Sequence, residues 1–358
     1  MGVIEYGIVG FGGIAENRIA KEGFALDKKR FNNPSLPFRL SGATDLNKGR
    51  KAAAKALGIR WYDSYQEMLD NPAIQAIYIA TSNGTHFESA MEALRAGKHV
   101  LIEKPMTTTV EDGEELIKLA AQKNLSVSVN LMMPKNVYNL KTQQLLKQKV
   151  LGENPYSVFH MEFLYGLDPA EAATWRCSDP KEVGGPIGDV GGHCLDMAEF
   201  LFQEKIKSVS CSYYPKTLPI VVEDGAYITY TLESGLQGSV RVAFNQPRGG
   251  LVGTLQNLGY EIYGDSGVIR GYGTMFQLSG HSDEPVPIKL ELQTDELCKS
   301  FCLTDVKNIY QSQIKEHALS ILNNQRIDGS QGLHNIKLVL ACHESALNGG
   351  KEVLINYA

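Results

Sequence analysis

Over its first 130 residues the chain alternates short apolar runs with helical patterns, and few arrangements satisfy that alternation. Val3 to Val9, Phe38 to Thr44, Ala73 to Ala80, His99 to Ile102 and Ser126 to Leu131 read as strands. Helical spacing lies between them, from Gly13 toward Ala25, over Lys48 to Leu57, Phe87 to Ala96 and Val110 to Lys123. Ser64 with Glu67 has the spacing of a capping box for a further short helix, which Asn71-Pro72 stops. Apolar strands separated by such helices predict a parallel sheet covered on both faces.

The pattern then changes. A helix is expected at 136–149, and strands at 156–164, 205–214, 225–233, 236–244, 259–263 and 286–292. Helical patterns return at 190–202, 306–322 and 332–347. Hairpin-linked strands with a few long helices predict an α+β domain on an antiparallel sheet. A length of 358 residues suits two domains, here 1–130 and 131–358.

Composition narrows the function. Hydrophobic residues are 43% and charged residues 21%, which is globular. Lys+Arg 35 against Asp+Glu 40, with no long run of one sign, argues against a broad nucleic-acid or anionic-membrane surface. The N-terminus lacks a signal-peptide pattern, and no apolar stretch reaches a membrane-spanning length. Six scattered cysteines form no CxxC pair; Cys298 and Cys302, four apart, could share a helix face, but no metal-ligand set is evident. Free thiols, no metal and a cytoplasmic location are expected.

Gly10-Phe11-Gly12-Gly13-Ile14-Ala15 follows the first strand and opens the first helix. Gly10 permits the tight turn, Gly12 lets the backbone approach a pyrophosphate, and the helix N–H groups face its charge. Asp45, at the end of the second strand, is positioned to hold an adenosine ribose and to repel a 2′-phosphate, which favours NAD. It lies 33 residues after Gly12 because Glu22 to Pro37 inserts a loop, whose lysines read as solvated or as part of a lid. Lys48, Arg50 and Lys51 keep NADP open.

Three further segments carry a resemblance: Thr81-Ser-Asn83-Gly-Thr-His86, Ala96-Gly-Lys-His-Val-Leu-Ile-Glu103-Lys104-Pro105, and Gly184-Gly-Pro-Ile-Gly-Asp189-Val-Gly-Gly-His193-Cys-Leu-Asp196. In this order the chain resembles the Gfo/Idh/MocA family of glucose–fructose oxidoreductase and inositol dehydrogenase relatives. Ser82 and Ala15 depart mildly from the family pattern. The resemblance implies an N-terminal Rossmann dinucleotide-binding domain followed by a domain with a large open, mainly antiparallel sheet. It implies a nicotinamide between the domains, where a sugar or cyclitol is oxidised or reduced. Lys104 corresponds to the family's active-site lysine, and Asp189 and His193 to acidic and histidine positions of its catalytic helix. Thr81, Asn83, His86 and Glu103 fall among positions that line the cofactor.

The residues read alone agree. Lys104 ends an apolar strand, at the carboxyl edge where ligands bind, and could polarise or protonate a substrate oxygen. Asp189, His193 and Asp196 are spaced to share one helix face, and Gly191-Gly192 suggests close packing on that helix. In this reading His193 is the acid/base, Lys104 stabilises charge on the same oxygen, and Asp189 orients a neighbouring hydroxyl or the pair. Lys135, Trp175 and Arg176 are expected on the substrate side, with the indole offering a face for a sugar ring. Two other functions share these residues: a glycosidase using NAD through a transient 3-keto sugar, and a non-catalytic dinucleotide sensor. Ala226-Tyr-Ile-Thr-Tyr230 and Val240-Arg-Val-Ala-Phe244 suggest an uncovered apolar sheet face, hence a homodimer or homotetramer, unless 245–258 or 271–285 folds over it.

Overall fold

The computed structural model describes residues 2–31, 35–247, 255–281 and 288–357. In chain order the main elements begin with β1 (Ile4–Val9), α1 (Ala15–Gly23), β2 (Phe38–Thr44), α2 (Lys51–Ala56), β3 (Arg60–Trp61) and α3 (Tyr65–Leu69). They continue with β4 (Ala76–Ile79), α4 (His86–Arg95), β5 (His99–Ile102), α5 (Val110–Lys123), β6 (Val127–Val129) and α6 (Val137–Lys147). Next come β7 (Tyr156–Glu162), α7 (Gly192–Phe202), β8 (Ile206–Tyr213), β9 (Gly225–Leu232), β10 (Gln237–Ala243), β11 (Leu258–Gly264) and β12 (Gly267–Tyr272). The last are β13 (Lys289–Thr294), β14 (Cys298–Phe301), α8 (Ile309–Leu322), α9 (Ser330–Leu347) and β15 (Val353–Leu354). The chain forms two compact units: the described residues of 1–132, 279–282 and 307–333, and those of 133–278, 283–306 and 334–358.

The first unit is built on six parallel strands in the order β3-β2-β1-β4-β5-β6. Ile8, Ile77, Ile79, Val100 and Ile102 are all fully buried, as strands covered on both faces require. Strand order reverses between β1 and β4, which opens a crevice at their carboxyl ends. The Ser64 hydroxyl accepts the Glu67 N–H at 3.1 Å, so the expected cap is present. Helix α8 belongs to this unit, with His317 Nδ1 2.8 Å from the Tyr6 hydroxyl of β1.

The second unit carries a nine-stranded sheet, β14-β13-β12-β11-β7-β10-β9-β8-β15, in which only the β7–β10 pair is parallel. Helix α7 packs across β7 and β10. One sheet face is buried, with Ile228, Val240 and Val242 at 0% exposure. The alternate positions form the other face, and they correct the expected apolar patch. Tyr227 there is 53% exposed, and Arg241 pairs with Glu162 at 3.6 Å. Arg270 pairs with Glu261 at 3.4 Å and Lys289 with Glu291 at 2.8 Å, so this face is polar and aromatic.

Period-two alternation separates the two faces of a strand but does not say which is covered. Cys298 lies on β14 and Cys302 just beyond it, so the two share no helix face. The strand expected at 286–292 runs over Lys289–Thr294, and 286–287 lie outside the described residues. The two segments expected as alternative covers of the sheet, 245–258 and 271–285, also fall partly outside them, at 248–254 and 282–285. Among the described residues no helix is long and apolar enough to cross a membrane.

Candidate active site

The glycine loop joins β1 to α1. Gly10 has φ +83°, and a Cβ there would stand 2.6 Å from the Ala80 carbonyl carbon at the end of β4. Only glycine fits this turn. Beside Gly12 and Gly13 the space is open, with nothing within 4 Å of where a Cβ would stand. That open strip, at the carboxyl edge of β1 and before the N–H groups of α1, suits a pyrophosphate. Ile14 is 44% exposed at the start of the helix, whereas Phe11 is fully buried.

Arg50 crosses to this loop. Its Nε donates to the Phe11 carbonyl at 2.8 Å, and its Nη2 donates to Glu16 and, at 3.4 Å, to the Gly12 carbonyl. Asp45 is half-buried just beyond β2, and one of its oxygens accepts the Asn47 N–H at 2.7 Å. Of the neighbouring cations, Lys48 donates to the Asp63 carbonyl and Lys51 pairs with the Asp63 carboxylate at 3.0 Å. The inserted segment is tied down at the far end of α1, where Arg30 Nη1 lies 3.3 Å from Glu22. Its described part therefore packs away from the glycine loop, which argues against a lid. Lys28 and Lys29 are exposed there, and residues 32–34 lie outside the described set.

Two strand ends complete this edge. The loop after β4 carries Thr81 and Asn83, and the one after β5 carries Glu103, Lys104 and Pro105. His86 is completely buried between them, with Nδ1 2.7 Å from the Pro105 carbonyl and Nε2 3.3 Å from the Thr81 carbonyl. Burial lowers its pKa to about 4, and the Lys104 charge adds to the effect against the two carbonyls. The ring is therefore neutral, donates its one N–H to one of the two carbonyls, the nearer being that of Pro105, and packs between the two loops rather than facing outward. Glu103 accepts from the Tyr78 hydroxyl at 2.7 Å and from Asn130 at 2.9 Å. Burial raises its carboxyl above the usual range, opposed by Tyr78, by the Lys104 charge and by Asn130. Lys104 itself is half-buried beside these two groups.

The second unit holds the other expected residues. Arg176 Nε donates to Asp189 at 3.0 Å, and Asp189 raises the already high pKa of the guanidinium. The guanidinium also lies 4.7 Å from the Trp175 ring centroid, so one indole face is taken by Arg176. Lys135 is half-buried in the turn before α6. Asp189 sits in a wide-turned helical stretch, Ile187–Gly191, that runs into α7 with His193 and Asp196. The extra residue in that turn displaces Asp189 from the line expected for regular α-helical spacing. His193 and Asp196 are 4% and 6% exposed. Gly192 is packed on by Asn335, whose Nδ2 donates to the Gly192 carbonyl at 2.9 Å. Glu223 accepts the Ile187 N–H at 3.0 Å, and burial pushes its pKa up to about 7 against that hydrogen bond.

Comparisons with known proteins give the family of the chain. A family model described as an oxidoreductase family with an NAD-binding Rossmann fold matches residues 4–131, and one for the Gfo/Idh/MocA C-terminal domain matches 139–270. The chain belongs to the Gfo/Idh/MocA oxidoreductase family. This Gfo/Idh/MocA chain is 27% identical to the 1,5-anhydro-D-fructose reductase of Ensifer adhaerens, over 60% of this chain and 62% of that one. It is 29% identical to the scyllo-inositol 2-dehydrogenase (NADP(+)) of Bacillus subtilis, over 58% of this chain and 54% of that one. The matches thus span less than two thirds of these curated relatives' length. The aldose-aldose oxidoreductase of Caulobacter crescentus, solved with glycerol, has the same fold, with TM-score 0.82, 22% identity and 98% and 99% of the two chains covered. Among the described residues of this Gfo/Idh/MocA protein, no three His, Cys, Asp or Glu side chains are grouped to hold a metal ion. Glu16 and Glu223 are the residues of its candidate site that sequence reasoning missed.

Proposed function

We propose that the chain is an NAD(P)-dependent oxidoreductase that moves a hydride between nicotinamide and a carbinol carbon of a sugar, sugar derivative or cyclitol. The observation that carries this reading is the open strip beside Gly12 and Gly13 on the same sheet edge as the half-buried Lys104. The activities for which the two curated relatives are named, on an anhydrofructose and on an inositol, support the substrate class. The dinucleotide supplies the electron chemistry, as hydride acceptor or donor. Gly10, Phe11, Gly12, Gly13 and Ile14 form the loop that binds it, Asp45 its ribose hydroxyls, and Thr81 and Asn83 line its nicotinamide side. His86 and Glu103 hold the two loops in place. Lys104 hydrogen-bonds the substrate oxygen and stabilises the charge that develops on it, and His193 exchanges that oxygen's proton. Asp189, held by Arg176, orients a neighbouring hydroxyl, while Lys135 and the free side of Trp175 line the sugar.

A panel of sugars, sugar phosphates and cyclitols, incubated with NAD or NADP, should give substrate-dependent absorbance of the reduced dinucleotide. Release of sugar from an aryl glycoside without net reduction would assign the glycosidase chemistry instead. Dinucleotide binding with no turnover of any kind would leave a sensor.

Cofactor choice follows from Asp45, because a 2′-phosphate beside an uncompensated carboxylate is repelled. NAD should bind more tightly than NADP, and Asp45→Ser should narrow or reverse the ratio in a fluorescence titration. A parent protein that already prefers NADPH overturns this reading of the ribose site.

We also propose a homodimer or homotetramer joined through the outward sheet face, where Tyr156, Tyr227 and Tyr263 are 40%, 53% and 41% exposed. Aromatic side chains with polar tips suit such interfaces. Light scattering should give a multiple of the 39.4 kDa chain, and a single-chain mass at micromolar concentration would overturn the proposal.

A further inference from the structure

Arg50 stands close in sequence to the ribose carboxylate Asp45, yet its contacts are to the glycine loop. The guanidinium spends its planar fork on the glycine loop: Nε on the Phe11 carbonyl at 2.8 Å, Nη2 on the Gly12 carbonyl at 3.4 Å and on the Glu16 carboxylate. Glu16 is held from its other side by Lys21 at 2.7 Å, and that hydrogen bond is the largest of the effects lowering its pKa. Arg50 and Glu16 are both mostly shielded, with side chains 28% and 19% exposed. Arg50 enters the loop from the turn that follows β2, whereas Glu16 stands in the first turn of α1, so together they clamp the loop between two elements.

The electrostatics give the clamp a purpose. The carbonyls of Phe11 and Gly12 carry the negative ends of their peptide dipoles, and a pyrophosphate seated beside Gly12 and Gly13 is repelled by any carbonyl that swings toward it. An unpaired carboxylate on the first turn of α1 would repel it too. Arg50 holds the Phe11 carbonyl to its own side, adds a longer contact to a Gly12 carbonyl that already accepts the Glu16 N–H at 2.9 Å and, with Lys21, neutralises Glu16. The Gly12 N–H donates to the Gly10 carbonyl at 2.8 Å, and the N–H groups from Gly13 to Ala15 are left as the loop's face to the ligand.

We infer that Arg50 is a positioning residue for dinucleotide binding, acting through the glycine loop, and that Glu16 holds it in place. The inference rests on the dinucleotide reading above. A parent protein that fails to bind NADH removes that reading, whereas a binding parent with unaffected variants removes only this one.

The test compares ligands with and without a pyrophosphate. Kd values for NADH, ADP-ribose and adenosine are measured for the parent, Arg50→Met, Arg50→Lys and Glu16→Gln, with circular dichroism and Tm as the check on folding. Arg50→Met should weaken NADH and ADP-ribose by about 10–100-fold, the loss expected for hydrogen bonds from a charged donor. Adenosine should change by less than about threefold, since it does not reach the loop's phosphate face. Arg50→Lys should recover little, because an ammonium cannot serve the Phe11 carbonyl and Glu16 with one planar fork. Glu16→Gln should show the same pattern more weakly, by about 3–10-fold, and carries the test if Arg50→Met does not fold. Equal loss of adenosine affinity would place Arg50 on the adenosine itself. Full recovery in Arg50→Lys would reduce it to a charge, and unchanged NADH affinity in Arg50→Met and Glu16→Gln would remove the clamp. Any of these three results overturns the inference.

Discussion

Replacing Lys104 or His193 by alanine is expected to lower kcat by about 10²–10⁴-fold if proton transfer contributes to the limiting step. The two changes should differ in what survives. His193→Ala lies in the second unit, on α7, and should leave NADH affinity within about threefold of the parent, because the glycine loop and Asp45 are untouched. Lys104→Ala removes a charge that favours the ionised Glu103, so it should also weaken the hydrogen bonds that Tyr78 and Asn130 donate to that carboxylate beside β5. Steady-state kinetics with the best substrate of the panel, alongside NADH titrations, separate these effects. Near-normal turnover in both variants would remove the assigned roles.

The second large effect is on the helix that carries Asp189 and His193. A Cβ on Gly188 would stand 1.8 Å from the Val183 carbonyl oxygen, an overlap that no rotamer change relieves because the opposing atom is backbone. Gly188→Ala should therefore cost about 3 kcal/mol or more of stability and displace the Asp189–Arg176 pair. Three residues along, Gly191 is a control. The nearest neighbour of a Cβ there would be the Pro186 carbonyl oxygen at 3.6 Å, an ordinary contact, and its backbone is helical. Gly191→Ala should be neutral or stabilising, by up to about 1 kcal/mol, because glycine is a poor helix former. Urea unfolding of the two variants checks the contrast. Equal stability would mean that the tight turn at 183–188 is not what fixes the helix.

Much of this architecture is legible in the sequence, for reasons that also mark where it stops. Strand β4 is apolar throughout, and β1 and β5 are so apart from Glu5 and His99, because both of their faces are covered, so they stand out without periodicity arguments. Strand β12 does not, since Gly267-Val-Ile-Arg-Gly-Tyr272 is interrupted by glycine and reads as turn. Helix α8 was readable as a helix, but an amphipathic pattern says which side is buried and nothing of what buries it. Its partner is Tyr6, more than 300 positions earlier, hence its place in the first unit.

The same limit applies to the site. Lys104, Asp189 and His193 sit in compact motifs, so local spacing is enough to mark them as candidates. Arg50 reaches Phe11 across 39 positions and Glu223 reaches Ile187 across 36, and no local pattern couples such pairs. Of the expected close-packed pair Gly191-Gly192, only Gly192 is crowded, by Asn335, while Gly188 nearby meets the Val183 backbone, a contact that no local pattern signals.

The central claim is hydride transfer between nicotinamide and a carbinol carbon, and label transfer tests it most directly. The protein would be incubated with NADH deuterated at both C4 positions, together with a mixture of ketoses, anhydroketoses and inososes, and the products read by mass spectrometry. The account predicts that at least one keto compound is reduced to an alcohol carrying one deuterium on the new carbinol carbon, and that His193→Ala makes this product far more slowly. Tight NADH binding with no labelled alcohol from any member of the mixture would contradict it.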